Sequence, residues 1–125
     1  MPHGDITHLD IPVNDFGKAT AFYRDLFGWD IQEYPGFEGY PMWQAPNKVS
    51  GGGLADRATS PTKHPVAFVE VDSIDDVLAK ATAAGGQIVS EKMPIDATSW
   101  LATFQDPDGN VIGLYEGRTD TSEQG

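Results

Sequence analysis

Hydrophobic and polar positions alternate along Ile6-Thr-His-Leu-Asp-Ile-Pro-Val13, the period of a strand with one face turned to a core. Asn14 and Asp15 then supply a helix start. Apolar residues recur at Phe16, Ala19, Tyr23, Leu26 and Phe27, a stripe of helical spacing. Gly28 is a natural end for that helix, because glycine takes the left-handed conformation without a Cβ clash. Trp29-Asp-Ile31 resumes as strand. The second half repeats this order. Val66-Ala-Phe-Val-Glu-Val71 alternates, and Ser73 with Asp76 reads as a capping box carrying Asp in place of Glu. Ile74, Val77, Leu78 and Ala81 form the stripe, Gly85-Gly86 ends it, and Gln87-Ile-Val89 follows as strand. Val13 and Val71 lie 58 positions apart, and so do Gly28 and Gly86. A fixed offset at two landmarks points to an internal duplication.

Each strand–helix–strand start is followed by further strand-like segments, 39–44 and 49–54 in the first half, 99–104 and 110–115 in the second. Asp106-Pro-Asp-Gly109 joins the last pair as a tight turn, in which proline presets φ and glycine supplies φ > 0. The pattern predicts an α+β domain of two βαβββ modules, residues 5–55 and 66–117, with 56–65 as the linker. Residues 118–125 are polar and aperiodic and are expected to be a disordered tail.

Composition narrows the partners. Nineteen acidic residues against eight basic ones give a formal charge of −11, which repels nucleic acid and anionic membranes and favours neutral or cationic ligands. The absence of cysteine excludes disulfides and thiolate chemistry. No apolar run approaches the roughly 20 residues that span a bilayer. The start Met1-Pro-His-Gly-Asp-Ile6 lacks the basic and apolar regions of a signal peptide, so a cytoplasmic location is expected.

Three stretches carry a resemblance: VNDFGKATAFYRDLFGW, its echo VEVDSIDDVLAKATAAGGQIV, and FQDPDGNVIGLYE. Over about residues 5–117 the chain resembles the vicinal oxygen chelate superfamily, which includes glyoxalase I, bleomycin-resistance proteins and extradiol dioxygenases. The resemblance implies that the modules form a cupped half-barrel sheet with a ligand inside, and that the protein is a homodimer. It implies no single function, because isomerases, dioxygenases and non-catalytic binders share the fold.

The resemblance also implies where metal ligands would stand. The first-strand histidine is matched by His8, and its counterpart 58 positions on is Val66, which cannot ligate. The carboxylate positions on the last strand of each module fall on Gly53 and Gly113. His8 is therefore the only matching metal-ligand position, and no cofactor is expected. His64 and Glu70 are weak substitutes. Asp10 shares the face of His8 by alternation and could orient it as an acid or base. Gly51-Gly-Gly53 lacks the following helix and Lys-Ser/Thr of a phosphate loop, and suggests instead a close approach of backbone or ligand.

Trp43, Phe68, Trp100 and Phe104 fall on predicted strands, with Tyr40 beside them in a segment whose inward register is ambiguous. Trp43, Phe68, Trp100 and Phe104, with His8, Asp10, Gly53 and Gly113, make up the expected ligand-binding set, an aromatic-walled cup suited to a small organic molecule. The leading expectation is a metal-free binding protein. Alternatives are a metal-independent enzyme using His8, a glyoxalase-like or dioxygenase-like enzyme with a divalent metal, and a purely structural subunit.

Overall fold

A computed structural model describes residues 3–60 and 62–117, so the expected tail lies outside the described residues. The chain divides into two compact units, Thr7–Val66 and Met1–Ile6 with Ala67–Gly125. Both follow the same βαβββ order.

In the first module the elements are β1 (Ile6–Val13), α1 (Phe16–Phe27), β2 (Asp30–Gln32), β3 (Met42–Gln44) and β4 (Gly51–Asp56). The Asp15 carboxylate accepts the Lys18 N–H at 2.9 Å and caps α1. Gly28, at φ +72°, ends the helix by donating its N–H to the Arg24 carbonyl. The strands lie in the order β2-β3-β4-β1, with β4 parallel to β1 and the other pairs antiparallel. Val13, Ile31, Trp43 and Leu54 form the core, with Leu9, Ile11, Phe16, Ala19 and Tyr23 packed against it. One face of β1 is thus buried beneath α1. The alternate positions, His8 and Asp10, point to the other face.

The second module consists of β5 (Val66–Glu70), α2 (Ile74–Ala83), β6 (Gln87–Asp96), β7 (Ser99–Gln105) and β8 (Val111–Gly117). Its strand order is β5-β8-β7-β6, with β5 parallel to β8. Ser73 Oγ accepts the Asp76 N–H at 3.2 Å, the first half of the expected capping box. Val71, Ile74, Leu78, Ala102 and Leu114 make the core beneath α2. Asp106 caps the β7–β8 turn through the N–H groups of Asp108 and Asn110, both at 2.9 Å, and Gly109 takes φ +92°. β6 is much longer than the three residues its alternation suggests. Its register shifts against β7, and Pro94 within it, break the regular pattern.

Candidate functional site

The three consecutive glycines of β4 are each explained by something lying close. A Cβ at Gly51 would sit 2.9 Å from the Trp43 carbonyl oxygen. At Gly52 it would overlap the backbone of Leu9, the residue paired with it on β1. At Gly53 it would overlap the phenol of Tyr40. The run is a place where two backbones and one side chain approach the strand.

Tyr40 is held over Gly53 by the turn that precedes β3. Gly39 has φ +83°, the Tyr40 N–H donates to the Phe37 carbonyl, and the Pro41 carbonyl accepts the Leu54 N–H at 2.8 Å. Gly53 pairs with Asp10 on β1, so Tyr40, lying over Gly53, also reaches Asp10 and His8. The Tyr40 hydroxyl donates to Asp10 Oδ1. His8 Nε2 lies 2.7 Å from Asp10 Oδ1 and 2.7 Å from the Tyr40 oxygen. The imidazole and phenol rings stack nearly parallel, 19° apart. Three polar atoms close a triangle on the face of the sheet that α1 does not cover.

The side chains of His8 and Asp10 are 26% and 19% exposed, so the triangle is reachable without being fully solvated. Burial pushes the Tyr40 hydroxyl well above its ordinary range, and the charge of Asp10 and the hydrogen bond to it push the same way. Tyr40 therefore stays protonated and acts as a donor. A carboxylate held by a phenol O–H, beside a histidine that it orients, can bind a polar ligand group or assist a proton transfer.

Sequence reasoning singled out His8, Asp10 and Gly53, and the structure brings these three together. Tyr40 is the partner it left unplaced. No local signal links position 40 to position 53, since the pairing depends on how β3 and its preceding turn fold back on β4. Trp43 takes the opposite face from His8. It is 6% exposed, stacks on Trp29 at 3.8 Å, and donates its indole N–H to the Leu9 carbonyl at 3.2 Å.

In the second module Phe68 pairs with Gly113, and its ring fills the space that a Cβ at Gly113 would need. Trp100 and Phe104 do share a face, as their parity requires. That face is the one packed against the core under α2, and Phe68, Gly113 and Thr103 lie on the other. Trp43, Trp100 and Phe104 thus lie on the helix-covered faces, which alternation alone could not distinguish from the open ones. His64 is exposed in the segment between β4 and β5.

This fold and this strand pairing define an α+β protein of duplicated βαβββ modules. The model of the Glyoxalase/Bleomycin resistance protein/Dioxygenase superfamily matches residues 5–114, and the chain belongs to that superfamily. It is similar to CFP32 of Mycobacterium bovis, named for a glyoxylase, with 26% identity over 86% of this chain and 44% of that protein. It is similar also to the anthracycline biosynthesis protein DnrV of Streptomyces peucetius, with 21% identity over 86% of this chain and 45% of that one. The chain therefore spans less than half the length of these two curated relatives. Among solved structures, methylmalonyl-CoA epimerase from Mycobacterium tuberculosis superposes with a TM-score of 0.67 at 20% identity, covering 96% of this chain and 91% of the epimerase. Among the described residues, no helix is long and apolar enough to cross a membrane.

Proposed function

We propose that the first module binds a small organic molecule at His8, Asp10 and Tyr40, through an oxygen of the ligand and without a catalytic metal. The observation that carries this reading is the closed triangle of His8 Nε2, Asp10 Oδ1 and the Tyr40 hydroxyl above Gly53. It supplies a donor, an acceptor and a titratable ring at one partly exposed point, the few placed polar groups expected of a small-molecule site.

The residues at the positions implied for metal ligands support the metal-free part of the reading. Val66 has no donor atom, and a carboxylate side chain at Gly53 or Gly113 would collide with Tyr40 or Phe68. His8 Nε2 is already engaged by Asp10 and Tyr40. Among the described residues, no three His, Cys, Asp or Glu side chains gather closely enough to hold an ion.

The test is a protein-observed NMR screen of carbonyl, enol and phenol fragments, read on the His8 ring and on Tyr40. Fragments of these classes are expected to shift both, and to lose affinity in His8→Ala and Tyr40→Phe. A set of fragments that binds elsewhere, or binds unchanged in both variants, contradicts the reading.

A second reading rests on the Asp10–His8 pair, which is the geometry of an oriented acid or base. In it His8 moves a proton on a bound carbonyl compound, with Tyr40 holding the Asp10 carboxylate in place through its hydroxyl. Turnover that survives chelator and disappears in His8→Ala separates this enzyme from a binder.

The expectation of a homodimer belongs to the same proposal. Phe22, Leu26 and Phe27 of α1 are each more than half exposed, and they support an interface on that helix.

A further inference from the structure

The second unit contains, by itself, a cavity of about 630 Å³ beside α2, within the range that takes a drug-sized molecule. The half-buried side chains of Val77 and Ala81 on α2 and Phe104 on β7 give it an apolar lining. Three carboxylates, Asp72, Asp76 and Asp106, stand around it against a single ammonium, that of Lys80. His3 stands on the same rim, its Nδ1 3.0 Å from the Asp72 backbone nitrogen and 3.7 Å from an Asp72 carboxylate oxygen. The segment carrying His3 is tied down, since the Gly4 N–H donates to the Glu70 carbonyl at 2.7 Å. Asp106 is fixed by its turn, where Asn110 Nδ2 donates to it at 3.0 Å. These hydrogen bonds, the backbone N–H of Asn110 first, hold its carboxyl below the usual carboxylate range.

We propose that this cavity is a binding site for an organic monocation with a flat apolar body. The charged group would face Asp72, Asp76 and Asp106, and the body would lie against Val77, Ala81 and Phe104. The π face of Phe104 suits a cation as well as an apolar surface. A neutral ligand would gain the lining but not the carboxylates. An anion would meet three like charges for one opposite. The site uses none of the residues of the first-module triangle, so it stands or falls independently of the function proposed there.

Benzamidine and its neutral isostere benzamide separate charge from shape. Titrated into the whole ¹⁵N-labelled chain, benzamidine is expected to shift the amides of 77–86 and 104–110, and benzamide to bind more weakly. Each carboxylate within roughly 4 Å of the cation should contribute up to about fivefold in Kd. Asp76→Asn should weaken benzamidine several-fold, and Ala81→Leu should remove the site by filling it. Lys80→Gln should tighten benzamidine several-fold, a gain that misfolding cannot imitate. Equal binding of benzamide would overturn the proposal. So would shifts spread evenly over the acidic surface, or affinities unchanged by Asp76→Asn and Lys80→Gln.

Discussion

The two modules solve the same packing problem with opposite chemistry. In each, the first strand runs parallel to the last and sets a residue against a glycine: Asp10 against Gly53, and Phe68 against Gly113. In the second module, the ring of Phe68 fills the room above its own partner glycine. In the first, the equivalent position carries a short carboxylate, and a tyrosine from the turn before β3 fills the room instead. The result is a ring packed over glycine in one module and a hydrogen-bonded polar cluster over glycine in the other. A duplicated fold can thus keep its strand register while filling the equivalent space with different side chains in each copy.

The sharpest way to break this comparison is at the glycines. Gly52→Ala drives a Cβ into the Leu9 backbone, which cannot move aside. It should cost upwards of about 3 kcal/mol, or prevent the first module from folding. Gly113→Ala presses on the base of the buried Phe68 ring and should cost about 2–3 kcal/mol. Gly53→Ala meets the far end of a tyrosine side chain, which can swing away, and should cost about 1–2 kcal/mol while scattering the triangle. Urea denaturation of the three variants checks the order. Equal costs for Gly53→Ala and Gly113→Ala would show that Tyr40 is as confined as Phe68.

Tyr40→Phe sharpens the comparison by making the first module resemble the second. Loss of the hydroxyl should cost about 1–2 kcal/mol, because Asp10 and His8 lose a partner. The folded state holds the Tyr40 proton more tightly than the unfolded chain, whose phenol titrates near pH 10. That contribution is complete below about pH 10 and is lost as pH rises beyond it. Stability followed from pH 9 to 12 should fall more steeply in the parent than in Tyr40→Phe.

Much of this was legible in the sequence. Two landmarks at one offset gave the duplication, and the Asp106–Gly109 stretch gave the last turn. Alternation along β1 put His8 and Asp10 on one face. What alternation cannot supply is the covered side of a sheet: Trp43, Trp100 and Phe104 lie on the helix-covered faces, opposite His8 and Phe68. Nor could spacing find Tyr40. It lies outside any strand, and its partners are 30 and 32 positions away in sequence.

A smaller effect belongs to the β7–β8 turn of the second module. Asp106 is held ionised by the N–H groups it accepts, so its contribution is present above the ordinary carboxylate range and is lost as pH falls through its lowered value. Asp106→Asn should therefore flatten the acid limb of the stability profile and leave the alkaline limb unchanged. Thermal unfolding between pH 2 and 7 measures it.

The central claim is that the first-module site works without a metal. Calorimetric titration of chelator-stripped protein with Ni²⁺, Zn²⁺, Mn²⁺ and anaerobic Fe²⁺, beside His8→Ala, tests it most directly. No binding is expected in the parent beyond that of the variant. Stoichiometric binding that disappears in His8→Ala would contradict it and make His8 a metal ligand.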